Sequence, residues 1–477
     1  MFKYILKRIL IFIPTFIIIS LIAFSLSKLA PGDPVELITK GGGGAQNSGQ
    51  LSDKMAGELA YQQTAERLGL NLPTFYFGLK TKSTPDTLYK IIKQEERTTL
   101  EQLIGQYGNW QQISGYYLSL KQLETSVLAM PNDSSLLPQK RKVRNKIRDL
   151  YISSQAGKIN NQLKLIAADI NADSTLQATV GTQLKTLENN YKQMVDGATP
   201  AQNYVPSVVW YGTKNQYHRW IRGFVKGDFG ISYLDNRPVA SKIWDALRWT
   251  LTINLISLLV SYILAIFLGV WSAVRKGTKA DQIVTTALFV LYSLPSFWIG
   301  TMLIVFFTSP EYGMNLFPPG QVTSLPIDAP FWQRFVDIGY HLTLPIICIS
   351  YGSLAFISRQ MRGGMLSILQ QDYIRTARAK GLSEKQVIWR HAFRNSLFPI
   401  ITLFASIFPA TIAGSIVIEV IYSIPGMGML SLGAINARDW PVVFTVLLLA
   451  AILTMLGNLV ADLLYAFVDP RVSFDKK

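Results

Sequence analysis

Apolar residues are distributed in two ways along the 477-residue chain. In six windows they run on without a single Asp, Glu, Lys or Arg: Ile9–Ser27, Trp249–Val274, Gln282–Pro310, Ile338–Ser358, Asn395–Ile418 and Trp440–Ala461. Each approaches the roughly 20 residues that a helix needs to cross about 30 Å of hydrocarbon, where an ionised side chain costs several kcal/mol. The pattern predicts six membrane-spanning helices.

The second distribution is periodic. Leu176, Val180, Leu184, Leu187, Tyr191 and Met194 recur three and four apart and line up one helical face. Leu88, Ile91, Ile92, Leu100, Leu103, Ile104 and Tyr107 do so less regularly. Such stripes must bury against one another, which predicts a bundle of three to five helices over Thr74–Pro206, outside the membrane. It sits within a long polar region, residues 31–245, read as extracytoplasmic. Ala30-Pro31-Gly32-Asp33-Pro34 forms a turn leaving the bilayer, Gly41–Gly44 a flexible tract, and Trp220–Asp245 a mixed segment with a turn at Gly227-Asp228-Phe229-Gly230. The bundle reads either as a spacer or as a contact for a substrate-delivering protein, and its residues leave both open. Pro295, Pro345, Pro399 and Pro409 fall inside spans, so neighbouring helices or water must satisfy the backbone groups they free.

Charge then orients the picture. The formal net charge of +16 would suit nucleic acid if it were spread over one face, but the cations cluster in particular loops. Lys3, Lys7 and Arg8 precede the first window, Arg275, Lys276 and Lys279 separate the second and third, and Arg359–Arg394 carries eight Lys or Arg against two acids. Counting spans puts all three on one side, which the positive-inside rule makes the cytoplasm, with both termini there. Nucleic acid is therefore not an expected partner, whereas membrane lipid is. The first window could be a cleavable signal peptide, but its apolar run is longer than a signal core, so a retained helix is expected. Cys348 is the one cysteine and lies in an apolar window, which excludes an internal disulfide. His218, His341 and His391 are too scattered for a metal site, and a structural or interface role is expected for His391. Asn254 and Asn458, inside spans, are expected to bond neighbouring helices. No Gly-x4-Gly-Lys-Ser/Thr loop and no nucleophile paired with a base occur, so neither ATP hydrolysis nor other enzymatic activity is expected of this chain.

The segment Arg359–Arg394 is the most informative. Asp372–Lys380 has adequate helix propensity and Gly381 supplies a C-terminal stop. Ser383, with Gln386 three residues later, reads as the capping box of a second helix. A short, basic, exposed helix–turn–helix results, with Ala377 and Ala379 small enough for a partner to approach. From charge alone it could equally serve topology and anionic lipid.

That segment, continuing through Val387-Ile388-Trp389-Arg390-His391-Ala392-Phe393-Arg394-Asn395 to Pro399, resembles the cytoplasmic coupling loop of dipeptide and oligopeptide permeases of ABC importers. The generic family loop opens Glu-Ala-Ala with a Gly four residues on. Here Arg375-Thr376-Ala377 stands in that opening, as is common in the peptide class, and Gly381 keeps its place. Arg8–Pro34 resembles the start of the permease type encoded first in such operons. Leu68-Gly69-Leu70 with Pro73, then Trp220 and Gly227-Asp228-Phe229-Gly230, resemble two halves of one family segment split by the bundle. Glu419, Tyr422, Pro425-Gly426-Met427-Gly428, Arg438-Asp439 and Pro441 resemble the outer loop before the last span, and Asp469-Pro470-Arg471 the family's finish.

The resemblance implies an all-α membrane protein with the six-helix type I importer permease fold. A first helix (1–30) precedes the extracytoplasmic region with its inserted bundle (74–206), and a five-helix core (246–470) and a cytoplasmic tail (471–477) follow. It implies a bacterial inner-membrane permease that passes di- or oligopeptides, with nickel chelates or glutathione as alternatives. The rival from another class is an ion-coupled carrier, which the charge-free windows disfavour. The implied partners are a second, homologous permease, two ATP-hydrolysing subunits and a periplasmic or lipid-anchored binding protein. ATP is used by the partners, and this chain needs no cofactor. The implied ATPase-coupling residues are Asp372, Tyr373, Arg375, Thr376, Ala377, Ala379, Gly381, Leu382, Arg390, His391, Arg394 and Asn395. A periplasmic gate or binding-protein contact is implied for Glu419, Tyr422, Pro425, Gly426, Gly428, Arg438 and Asp439.

Overall fold

The computed structural model describes residues 2–30, 33–35, 38, 51–130, 137–412 and 415–468. The expectations for Pro31-Gly32, Gly41–Gly44, Asp469-Pro470-Arg471 and the 471–477 tail lie outside the described residues. In chain order the helices are α1 (Phe2–Leu29), α2 (Leu51–Leu68), α3 (Gln94–Tyr107), α4 (Trp110–Ala129), α5 (Leu137–Tyr151), α6 (Ala156–Asn171), α7 (Ser174–Asp196) and α8 (Gln216–Val225). Then come α9 (Val239–Val274), α10 (Lys279–Ser293), α11 (Ser296–Thr308), α12 (Phe331–Leu369), α13 (Asp372–Ala379), α14 (Phe393–Ile412), α15 (Ile416–Ile421), α16 (Met427–Asn436) and α17 (Trp440–Val468). The chain divides into two compact units, Gly32–Lys226 and Met1–Pro31 with Gly227–Lys477. That boundary falls earlier than position 245, because the turn after Gly227 folds onto the apolar unit.

In the first unit the predicted bundle contains five helices, α3–α7. All six residues of the Leu176–Met194 stripe are buried, packed against Leu103, Ile113, Leu120, Leu123, Ile147 and Ile166. Asp173 caps α7 by accepting from the backbone N–H of Thr175 and Leu176 at 2.9 and 3.1 Å. Lys140, though buried, donates to the carbonyls of Leu128 and Met130 at 3.2 and 2.6 Å, at the C-terminal end of α4 where a cation is favoured.

The sequence reading missed two strands, β1 (Phe77–Thr81) and β2 (Pro206–Trp210), which pair antiparallel with Phe77 opposite Trp210. Five residues are too few for an unambiguous alternating signal, and the partners lie far apart in sequence. Their pairing closes the ends of the bundle. Beside it, Gln216 and Tyr217 donate their backbone N–H to Pro73 and Thr74 at 2.9 and 3.1 Å, and Arg219 donates to the Arg67 carbonyl at 2.7 Å. The two sequence segments flanking the bundle are thus rejoined in space.

In the apolar unit, four helices are long and apolar enough to cross a membrane, and a fifth span is formed if the bent pair α10–α11 counts as one, among the described residues. The window Gln282–Pro310 was expected to be one helix; instead it breaks at Leu294-Pro295 with a bend of 100°. Proline cannot continue the backbone ladder, and the groups it frees find partners: Tyr351 Oη donates to the Leu294 carbonyl at 2.8 Å and Cys348 Sγ to that of Ser296 at 3.4 Å. The window Asn395–Ile418 divides between α14 and α15, with 413–414 outside the described residues. Helix α9 begins at Val239, ten residues before the apolar window, and α12 extends past it at both ends to 39 residues.

Helices α9 and α12 run parallel, since Ser257 and Ser261 meet Ser350 while Gly269 meets Ser358 and Met361. Serine hydroxyls bond across the seam, Ser261 Oγ to the Ser350 carbonyl and Ser350 Oγ to the Ser257 carbonyl, both at 3.1 Å. A Cβ at Gly269 would lie 2.6 Å from Met361 Cβ and 2.7 Å from the Ser358 carbonyl. Small residues let the backbones approach, as in other membrane helix pairs. Helix α1 packs on α17, where Arg8 Nη2 meets Asp462 Oδ2 at 2.7 Å, so the start of the first span and the end of the last lie at the same end. Asn254 is buried and Asn458 is exposed on α17; among the described residues neither side chain makes the expected hydrogen bond to a neighbouring helix.

Two predictions follow from packing and charge. Gly269→Ala should lower the melting temperature of the detergent-solubilised protein. Gly115→Ala should leave it unchanged or raise it, by up to about 1 kcal/mol of stability, because its Cβ enters open space and the helix prefers alanine. In the bundle, burial pushes the Asp169 carboxyl up, but Lys142 at 2.8 Å and Lys146 together hold it below its ordinary value. Its contribution should be full above about pH 4 and lost as pH falls through the lower folded value. Melting curves of wild type and Asp169→Asn should accordingly differ at pH 7 and converge near pH 2.

Candidate functional site

The elbow after α12 is built on a few buried anchors. Ile374 and Ala377, one turn apart on α13, are buried with Val387 and Ala392 against Met361 and Met365 of α12 and Ala265, Val270 and Ala273 of α9. Fully burying an isoleucine alone is worth about 1.5–3 kcal/mol, so the short helix is fixed to the seam rather than dangling. Ala377 therefore does not present itself to a partner as its size suggested; of the two alanines only Ala379 is exposed.

Gly381 stops α13 in a left-handed conformation, φ +82°, and Leu382 N–H closes back on the Ala377 carbonyl at 3.4 Å while Gly381 N–H reaches Arg378 at 2.9 Å. The expected capping box of Ser383 and Gln386 is present, with Gln386 Oε1 accepting from the Ser383 N–H at 3.2 Å. The second arm then continues through a π-helical segment, Val387–Ala392, into α14, a local widening often found at functional sites. Two side-chain ties brace the arms: Arg378 grips Glu384 through Nη2 at 2.6 Å and Nε at 3.2 Å, and Asn395 Nδ2 donates to Tyr373 Oη at 2.9 Å. Asp372, Arg375, Thr376, Leu382, Arg390 and Arg394 are exposed, as is Tyr373, and His391 is half-buried. The resulting outer face mixes cations with the uncovered rings of Tyr373 and Trp389.

One constellation beside the elbow escaped the sequence reading. Asp281, in the first turn of α10, is buried and receives both arms of the Arg362 guanidinium, Nε at 2.9 Å and Nη2 at 2.8 Å. Ser272 Oγ and the Gly277 N–H, the latter at 3.0 Å, also donate to it. The clamp ties the α9–α10 loop to α12, ten residues before α13 begins. Its only trace in sequence was Thr278 three residues before an acid, the spacing of a helix cap, and Thr278 Oγ1 does accept from the Asp281 N–H at 3.3 Å.

At the other end of the seam, the residues grouped as an outer gate turn inward. Glu419 is buried, accepting from Thr250 Oγ1 at 2.9 Å and from the Met429 N–H at 3.0 Å at the start of α16. Gly426 and Gly428 wrap the carboxylate so closely that a Cβ on either would lie 2.6 and 2.9 Å from its Oε2. Tyr422 is buried too and donates to the Gly300 carbonyl at 3.1 Å, while Pro425 lies between them in the turn. Asp439 is buried and accepts from Ser232 Oγ and from the Tyr233 N–H at 2.9 Å, with Lys242 at 3.7 Å. These groups hold loops together rather than reaching out, and of the set Arg438 alone is a charged side chain exposed at the surface. The histidines have local partners: His341 meets Ser324 at 2.8 Å and His218 meets Tyr76 at 3.0 Å. Among the described residues, no group of three or more His, Cys, Asp or Glu could hold a metal ion.

Fold and site together define a multi-pass helical membrane protein with a rigid, cationic elbow projecting from its longest helix. Residues 265–474 match the family described as the binding-protein-dependent transport system inner membrane component. The chain is 38% identical over 260 residues to the oligopeptide transport system permease protein AppB of Bacillus subtilis, covering 54% of this chain and 80% of that one. It is 36% identical over 278 residues to the dipeptide transport system permease protein DppB of Escherichia coli K12 (55% and 81% covered) and 34% over 262 to the inner membrane ABC transporter permease protein YejB of E. coli O157:H7 (54% and 72%). The chain belongs to this family of transport permeases. A solved amino acid ABC transporter aligns with 13% identity and a TM-score of 0.36, covering 48% of this chain and 94% of that one.

Removing Asp281 while leaving its cation should cost about 3 kcal/mol, because the guanidinium stays partly buried without its acceptor. In thermal unfolding, Asp281→Asn should therefore be more damaging than Asp281→Asn combined with Arg362→Met. Equal loss in both would show that the guanidinium left without its carboxylate carries no penalty.

Proposed function

We propose that this chain is a permease subunit of an ATP-driven peptide importer and that the elbow at Asp372–Asn395 is where the motor docks. The relatives named above carry oligopeptide and dipeptide transport in their names, which supports a peptide cargo. The observation that carries the docking site is the contrast between the faces of α13: Ile374 and Ala377 are buried in the seam, whereas Tyr373, Arg375, Thr376, Ala379 and Leu382 are exposed. A lever needs one face fixed to the moving body and another free for the motor.

In this reading two ATP-hydrolysing subunits grip the elbows of this chain and of a second, homologous permease, and a periplasmic or lipid-anchored binding protein delivers cargo. The elbow does work only if the motor binds it differently in its open and closed states, since equal affinity shifts no population. Motion of α13 passes directly into α12, and through the Arg362–Asp281 clamp into α10 and the broken span. Both termini lie in the cytoplasm of a bacterial cell, a reading that fits the loop cations and the Arg8–Asp462 pair at one end. The chain carries out no covalent chemistry and needs no cofactor of its own. An ion-coupled carrier is disfavoured, because the buried carboxylates Asp281 and Glu419 are already saturated by protein donors.

Ala379→Glu tests the docking claim without touching a buried residue. Copurification of the ATPase subunits and uptake of a labelled dipeptide or oligopeptide should each fall about tenfold or more, the equivalent of 1.4 kcal/mol of lost docking energy. Wild-type levels of both would overturn the assignment.

A further inference from the structure

We propose that a groove at one edge of the α9–α12 seam is a binding site for an anionic phospholipid, its phosphate held by Arg248 and Arg334. The groove has a volume of about 470 Å³, and Arg248, Trp249 and Thr252 of α9 face Phe331, Arg334 and Phe335 of α12 across it.

Its charge is not balanced by protein. None of the lining residues is acidic. Asp245 approaches Arg248 only at 3.8 Å and shares its carboxylate with Arg237 at 3.4 Å, so one anion serves two exposed guanidiniums. Arg334 donates through Nη1 to the Ile327 carbonyl at 3.1 Å, but its Nε is buried and meets no partner among the described residues. The Arg334 guanidinium thus has one neutral acceptor and, among the described residues, no carboxylate, and a charge-assisted hydrogen bond to an anion in the groove would be roughly twice as strong as one to a neutral group. Asp337, the next acid on α12, is taken up by the Thr323 hydroxyl and the Ser324 N–H at 2.8 Å, with His341 at 3.6 Å. The first-turn N–H groups of α12, which has Pro330 before it, add the positive end of a 39-residue helix.

The remaining surface selects a lipid rather than a small anion. Arg248 immediately precedes the charge-free run that opens at Trp249, and Arg334 lies four residues before the run that opens at Ile338. The two helices are parallel, so both cations stand at the same edge of the hydrocarbon. Phe331, Trp332 and Phe335 around them are exposed, the placement of an aromatic belt at headgroup depth. A free phosphate would satisfy the guanidiniums and leave Phe335 and Ile338 uncovered, whereas a phospholipid covers both with its acyl chain. The site requires only that these helices span a membrane, and does not depend on what is transported.

The test is native mass spectrometry of the purified full-length protein, with any copurifying subunits, in detergent with added phosphatidylglycerol or phosphatidylcholine. A parallel thermal-shift series uses the same lipids and inorganic phosphate. Phosphatidylglycerol should give a retained adduct and raise the melting temperature, whereas phosphatidylcholine and phosphate should not. Arg248→Gln with Arg334→Gln should reduce the adduct at least tenfold, and Lys276→Gln, an exposed cation outside the groove, should not. If the double variant does not fold, Thr252→Trp fills the groove without altering charge and should displace the lipid. Undiminished adducts in the groove variants, or equal stabilisation by inorganic phosphate, would overturn the proposal.

Discussion

The close, parallel contact between α9 and α12 carries the rest of the apolar unit. It exists because Gly269 and a run of serines leave no side-chain bulk between two long helices, and because the hydroxyls of Ser261 and Ser350 each find a carbonyl across the seam. In a membrane no hydrophobic force draws helices together, so packing and such hydrogen bonds must do so. The elbow is seated on the Met361 and Met365 end of this seam. Nearer the other end, Thr250 on α9 supplies the hydroxyl that meets Glu419.

Three buried carboxylates show how a chain of this kind tolerates charge. Asp281 is paired with a two-armed guanidinium, Asp439 is met by a hydroxyl, an N–H and a nearby ammonium, and Glu419 is hydrogen-bonded by a hydroxyl and a helix N-terminus. Each stands at the edge of an apolar window rather than within it, where donors from loops can still reach. Each also joins segments distant in sequence: Asp281 to Arg362, Asp439 to the turn at Ser232, and Glu419 to Thr250. Their shared role is to fix loops against the ends of spans, and the tightness of Gly426 and Gly428 around Glu419 follows from it.

The broken span between α10 and α11 obeys the same rule. Proline at position 295 forbids a continuous helix, yet a bare break at membrane depth would leave backbone groups unsatisfied. Tyr351 and Cys348 of α12 and Tyr422 after α15 cover carbonyls on and around it. The backbone turn is thereby tied to α12 on one side, although Ser293, Pro295 and Ser296 remain exposed, and it is connected through α10 and the Asp281 clamp to the elbow.

The amino-acid sequence by itself determined where hydrocarbon and water lie, because charge-free runs and three-four apolar spacing are local properties that survive any arrangement of the elements. It also determined the turn of the elbow, since Gly381, Ser383 and Gln386 act on neighbouring backbone, and it carried the family likeness in consecutive residues. Only the tertiary structure decided which of those residues face inward. Ala377 and Glu419 read as contact positions, and Asp281 drew no attention, because burial and pairing with Met361, Thr250 or Arg362 depend on segments separated by many residues. The bend at Pro295 and the pairing of Phe77 with Trp210 were hidden for the same reason: a break or a short strand is stable only when something distant supplies its hydrogen-bond partners.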